Sequence, residues 1–224
     1  MSAHLGQYCL EVTDLDRSLA FYTALGLEQT ATADGVLVQH GGTGSALGLS
    51  PASGGSWSAG NALWKLYVNT PDIAETFRRA VEAGAAVRAE PQRLPRWPVE
   101  VAFVHDPDGF VVELVQRLPW PEGSPSRPWL GQYCINVSDI EKTVAFYEAL
   151  GLSCTSRTEI DAAWEAVVEG PGGGGKMQLA QQKSPQEPFE LGAFRELHVV
   201  TDDPAAVGVR TDPDGYRVVV REGA

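Results

Sequence analysis

Cysteine is scarce in this sequence: Cys9, Cys134 and Cys154 are the only three, and no two form a C-x-x-C pair. So few and so scattered, they exclude a disulfide framework and a thiolate zinc knuckle, and free thiols in a reducing compartment are expected. Long apolar runs are missing too. No stretch reaches the roughly 18 residues a membrane helix needs, and the opening MSAHLGQYCLEVTDLD lacks the basic and apolar regions of a secretory leader. A cytoplasmic location is therefore expected. Basic residues are also few, with 17 Lys and Arg against 29 Asp and Glu, a formal charge of -12. Such a balance repels phosphate backbones and anionic lipid, so neither nucleic acid nor membrane is expected as a partner.

What is present reads as globular, with 43% hydrophobic and 21% charged residues in 224 positions. That length suits two domains of about 100 residues, each burying its own core. An internal repeat supports the division. GQYCLEVTDLDRSLAFYTALGLEQT begins at Gly6 and GQYCINVSDIEKTVAFYEALGLSCT at Gly131, an offset of 125 with fourteen of 25 positions identical. A second echo links Asp106-Pro107-Asp108-Gly109-Phe110 to Asp212-Pro213-Asp214-Gly215-Tyr216 at an offset of only 106, so the second copy has lost 19 residues net. The domains are expected at 1–117 and 131–224, with a proline-rich linker over 118–130.

Each repeat opens with a strand on which Tyr8, Leu10 and Val12 face one way and Gln7, Cys9 and Glu11 the other. A helix should follow, capped by Thr13 or by Ser138, with Leu15, Leu19 and Tyr22, or Ile140, Val144 and Tyr147, as its buried stripe. Gly26 and Gly151 end these helices. Further strands are expected at Gly35–His40, 45–49, 63–68, 99–104 and 110–115. A loop over 51–61 and a helix after Pro71, with Ile73, Phe77 and Val81 on one face, complete the first half. In the second half Pro204 to Asp212 spans 8 residues where Pro71 to Asp106 spans 35. The last unit should therefore keep strands near 196–200, 207–211 and 216–221 but have no covering helix, leaving Val199 and its neighbours exposed unless the linker's Trp120 and Trp129 or a second chain, as in a homodimer, covers them.

The stretches Val12 to Leu27, Val137 to Leu152 and Asp106 to Leu114 resemble the vicinal-oxygen-chelate superfamily, which includes glyoxalases, bleomycin-resistance proteins and extradiol dioxygenases. The resemblance implies an α+β fold of tandem βαβββ units, forming two curled mixed-sheet domains around concave pockets. It implies that Gln7, Cys9 and Glu11 line a cavity. Metal-dependent members carry ligands at four positions, which here hold Gln7, Gly48, Leu63 and Glu113 in the first half and Gln132, Gln178, Glu196 and Val219 in the second. Some members exchange units between halves. No pairing completes a ligand set, so neither metal nor other cofactor is expected.

The function this favours is metal-independent binding of a small organic ligand, neutral or cationic because Glu11 and Asn136 stand where some relatives place a cationic side chain. Trp57, Trp64 and Tyr67 could stack on it. The alternatives are a divergent lyase, isomerase or dioxygenase using Glu113 or His198, which shares a strand face with Glu196, and an accessory protein that has shed its active site. Gly170-Pro-Gly-Gly-Gly-Gly175-Lys176 mimics a phosphate loop, but Met177 and a strand-like continuation make it a hairpin loop.

Overall fold

The computed structural model describes residues 2–33, 35–40, 43–54, 56–171, 174–185 and 188–223. The first unit comprises β1 (Ala3–Val12), α1 (Leu15–Ala24), β2 (Glu28–Thr32), β3 (Gly35–His40) and β4 (Thr43–Pro51). The second comprises β5 (Leu63–Asn69), α2 (Ile73–Glu82), β6 (Ala86–Arg93), β7 (Val99–His105) and β8 (Val111–Arg117). The third is β9 (Trp129–Asn136), α3 (Ile140–Ala149), β10 (Ser153–Glu159), β11 (Ala163–Glu169) and β12 (Lys176–Gln182). The fourth keeps only β13 (Phe194–Thr201), a 3-10 turn at Pro204–Ala206, β14 (Gly208–Thr211) and β15 (Arg217–Glu222). The expected loss of the last α-helix is thus observed. Residues 172 and 173 of the glycine run lie outside the described residues, while Lys176 onward is strand.

Two mixed sheets result, and each joins a unit of one sequence half to a unit of the other. The first and fourth units form a seven-stranded sheet, here sheet A, in the order β14-β15-β13-β1-β4-β3-β2. The second and third form the eight-stranded sheet B, in the order β10-β11-β12-β9-β5-β8-β7-β6. At the centre of each, two opening strands pair antiparallel: β1 with β13 and β5 with β9.

The Asp-Pro-Asp-Gly turns stitch each sequence half together. Asp106 Oδ1 accepts hydrogen bonds from the backbone of Asp108 and Phe110, closing the turn, while Tyr22 of α1 donates to its Oδ2 at 2.8 Å. Asp108 in turn accepts from Thr13 N at 2.9 Å and Ser18 Oγ at 2.8 Å. The second half repeats this, with Tyr147 donating to Asp212 and with Ser138 N and Thr143 Oγ1 donating to Asp214. Thr13 and Ser138 are therefore not the helix caps. Asp14 and Asp139, one residue on, accept from Arg17 N and Lys142 N, because the preceding hydroxyl residue is committed to the turn. Gly26 and Gly151 close the helices with φ of 97° and 93°, as expected.

One apolar core runs through both sheets, with Tyr8 and Tyr133 of β1 and β9 in contact at a ring-centroid distance of 4.9 Å. Two expectations about it fail. Val81 is 42% exposed, because α2 buries Ile73, Thr76 and Ala80 instead. Val199, Val218 and Val220 are fully buried in the shared core rather than bare, and Ala206 of the 3-10 turn packs against that core. Exposure falls on Val207 and Val209 at the edge strand β14.

Candidate functional site

Register makes the two sheets comparable residue by residue. Cys9 lies opposite Glu196 across β1 and β13 and beside Gly48 of β4. Its repeat counterpart Cys134 lies opposite Lys65 across β5 and β9 and beside Gln178 of β12. One step on, His198 neighbours Val219 in sheet A and Tyr67 neighbours Glu113 in sheet B. The concave faces therefore differ at corresponding places: Glu196 for Lys65, His198 for Tyr67, Gly48 for Gln178 and Val219 for Glu113.

In sheet A a cavity of about 320 Å³ is lined by Gln7, Leu37, Gln39, His198 and Arg221, among others. A smaller one of about 20 Å³, lined by Gln7, Cys9, Gly48, Arg195 and Glu196, adjoins it at Gln7 and Leu37. His198 Nε2 lies 2.7 Å from Glu196 Oε1 and 3.4 Å from the Arg221 guanidinium, and Arg217 Nε lies 3.3 Å from Glu196 Oε2. Burial works to raise the Glu196 carboxyl, but hydrogen bonds from His198 and Arg217 carry it below its ordinary value. Burial, seconded by the Glu196 charge, pushes the Cys9 thiol up to about 12, against a hydrogen bond from Gln7. Cys9, Glu196 and His198 bring one ligand atom each within 4.8 Å of one another.

At the matching place sheet B carries a buried ion pair. Lys65 Nζ sits 2.9 Å from Glu113 Oε2, with side chains only 13% and 7% exposed, and lies over the rings of Trp64 and Tyr67 at 4.5 and 4.7 Å. Gln132 donates to Gln178 at 2.8 Å. Burial and the Glu113 charge raise the Tyr67 phenol well above its usual value, and burial raises the Glu165 carboxyl. Tyr67 is bonded to Gln132 and Glu165 to Gln178, whereas Glu113 Oε2 meets Lys65 as an ion pair and takes no hydrogen bond.

The metal that metal-dependent relatives carry at four positions does not fit here. Of the four positions, sheet A offers Gln7 and Glu196, the latter already bonded to His198 and Arg217, while Gly48 and Val219 have no donor side chain. In sheet B the Lys65 ammonium already neutralises Glu113.

Placement of the remaining expected site residues is mixed. Leu63 packs against the main core, and the register gives its assigned place to Lys65. Glu11 is engaged by Ser53 Oγ at 3.0 Å, and Trp57 packs edge-on to Phe110 in the core. Asn136 bonds the Asn61 carbonyl and Gln182. Lys65, Arg195 and Arg221 escaped the sequence reading. A bulge between Leu63 and Lys65 breaks the alternation that would have revealed Lys65, while Arg195 and Arg221 looked like ordinary exposed strand residues.

This βαβββ architecture agrees with the comparisons. Residues 4–114 and 129–218 match the family model described as the Glyoxalase/Bleomycin resistance protein/Dioxygenase superfamily. The chain belongs to that superfamily. It is 28% identical over 162 residues to the lactoylglutathione lyase GLX1 of Arabidopsis thaliana, covering 66% of this chain and 54% of that protein. A probable lactoylglutathione lyase of Vibrio cholerae is 30% identical over 121 residues, 48% of this chain and 86% of that protein. The chain spans little more than half the length of the plant relatives it matches. Among solved structures, glyoxalase I from Zea mays superposes with a TM-score of 0.80 at 20% identity, covering 98% of this chain and 92% of that one. At that identity the likeness speaks for the fold. Among the described residues no helix is long and apolar enough to cross a membrane.

Proposed function

We propose that this superfamily member binds a small organic acid in the cavity of sheet A, without a metal at the family's ligand positions. The observation that carries the reading is the cavity of about 320 Å³ with Arg221 and His198 in its wall, set against the closed Lys65–Glu113 pair at the matching place in sheet B. A guanidinium receives a carboxylate through paired, charge-assisted hydrogen bonds. The expectation of a neutral or cationic ligand rested on Glu11 and Asn136, and both are engaged elsewhere. The lactoylglutathione named in the relatives carries carboxylates, which makes it the first compound to try. The free cysteines suit a reducing compartment such as the cytoplasm.

A second reading, a divergent lyase or isomerase, is favoured by one contact. Glu196 and His198 stand 2.7 Å apart beside the cavities, as a base and its orienting partner would. Glu113, the other candidate base, is committed to Lys65.

Thermal shift and calorimetry on chelator-treated protein test the binding reading with small carboxylates, lactoylglutathione and the matching amides. Carboxylates should raise the melting temperature and amides should not. Arg221→Gln should weaken carboxylate binding about tenfold or more, as loss of a charged hydrogen bond of about 1.5–3 kcal/mol requires. Hits confined to neutral or cationic compounds, or undiminished binding in Arg221→Gln, would overturn it. Turnover abolished by Glu196→Gln would promote the second reading.

A further inference from the structure

We infer that the organic acid bound by sheet A is a dicarboxylate, with one carboxylate received by Arg221 in the larger cavity and the other by Arg195 at the smaller. The inference deepens the organic-acid reading and rests on it. Charge is the starting point. Aligned by register, three acids of sheet B have no acidic counterpart in sheet A: Val219 stands in the place of Glu113, Gly35 in that of Glu165 and Gln39 in that of Glu169. Sheet A gains three arginines instead. Arg195 takes the place of Trp64. Arg217 and Arg221 flank Val219 on one face of β15, where β8 carries Val111 and Val115 on either side of Glu113. Of the described residues lining the two cavities only Glu196 is acidic, and it is engaged by His198 at 2.7 Å and Arg217 at 3.3 Å. Three guanidiniums around one carboxylate leave two positive charges in excess, in a chain whose net charge is -12. A ligand with two negative charges balances them.

The placement of the arginines decides which dianion fits. Arg221 lies opposite Val200 in the register of β15 and β13, five residues beyond Arg195, so the two backbones are roughly 16 Å apart. Each arginine lines a different cavity, and the cavities meet at Gln7 and Leu37. A phosphate-like group, with both charges on one centre, meets one guanidinium in either cavity. An acid at each end of a short chain meets both. The smaller cavity, about 20 Å³, holds roughly one or two atoms the size of a water oxygen, so it suits the end of a ligand and not its middle. Arg195 is held beside it by Ser50 Oγ at 3.4 Å. The larger cavity, about 320 Å³, takes the chain and the other carboxylate, with Gln7 and Gln39 as amide partners for a polar substituent. Leu37, at the junction, offers methylene groups an apolar surface.

Calorimetry on the full, chelator-treated chain tests this with α,ω-dicarboxylates from succinate to suberate, each beside its own monoamide. At least one dicarboxylate should bind about tenfold or more tighter than its monoamide, the worth of one charge-assisted hydrogen bond. Arg195→Gln should bring that dicarboxylate down to the affinity of its monoamide, and Arg195→Lys should recover part of the loss. Arg221→Gln should weaken both compounds about tenfold or more. Arg157→Gln, at a residue that lines neither cavity and pairs with Glu141, should leave every affinity unchanged. Circular dichroism establishes that each variant folds. Monoamides that bind as tightly as every dicarboxylate, or a dicarboxylate advantage that survives Arg195→Gln, overturn the assignment and leave the organic-acid reading standing. Binding of neither class of compound overturns both.

Discussion

Sheets A and B start from the same repeated strand, yet one ends as a cavity wall and the other as a polar core. Both carry the Gln-Tyr-Cys triplet of the repeat. The difference lies in what the partner strands bring to it. Sheet B places Lys65 and Glu113 side by side as a buried ion pair and joins Gln132 to Gln178, so its interior charge is neutralised from within. Sheet A has Glu196 where Lys65 would be and no acid at Val219, and Gly48 removes the side chain that matches Gln178. Its polar groups, Glu196 and His198 with Arg217 and Arg221, bond to one another at the edge of the cavities. After duplication, one copy of a site can become structural while the other keeps access to solvent, and the exchange of units between halves lets each diverge on two strands at once.

The comparison breaks most directly at Lys65. Lys65→Met should destabilise the protein by about 3–5 kcal/mol, because the buried Glu113 carboxylate is left without its cation. Lys65→Met with Glu113→Leu should recover most of that loss, since an apolar pair of similar volume replaces a buried ion pair at little cost. Urea unfolding measures both. Equal losses in the single and double variants would mean that the pair does not hold sheet B together.

Where the sheets diverge, the two Asp-Pro-Asp-Gly turns agree, and they supply a smaller effect common to both halves. Burial above all raises Asp106 and Asp212 from 3.8 to about 6. The folded state therefore holds protons that the unfolded chain has already released. Stability from these groups is fullest below about pH 4, falls as the pH rises through 4 to 6 and levels off above that. Each carboxyl contributes of the order of 1–3 kcal/mol to the fall. Asp106→Asn with Asp212→Asn should flatten the stability curve over that window relative to wild type. An unchanged slope would show that both carboxyls ionise as freely in the fold as out of it.

Much of the fold could be read from the sequence because its signals are local. The repeat marks the opening strand and helix, and the Asp-Pro-Asp-Gly turns mark the unit ends. The 27-residue shortfall between Pro204 and Asp212 marks the missing helix. The edge strands β2 and β6 escaped notice because EQTAT and AVRAEPQR are largely exposed and lack apolar alternation, and β6 carries Pro91. Pairing between halves was one of two open possibilities, since β1 shows the same alternation whichever strand lies beside it. The burial of Val199 depends on that packing and was missed for the same reason. At the site, Gln7, Cys9 and Glu196 were singled out by what the family resemblance implies for their positions, and strand period added only that His198 shares a face with Glu196. Their convergence was not foreseen, because it depends on the register between β1 and β13. Lys65 was hidden by the bulge beside it.

Calorimetric titration with the best-binding small carboxylate tests most directly the claim that sheet A is the open site and sheet B the closed one. The wild type, Arg221→Gln and the Lys65→Met, Glu113→Leu double variant should be compared. One site per chain is predicted, kept by the sheet B double variant and weakened about tenfold or more by Arg221→Gln. Two equivalent sites per chain, or binding lost with Lys65 and Glu113 but kept without Arg221, would contradict it.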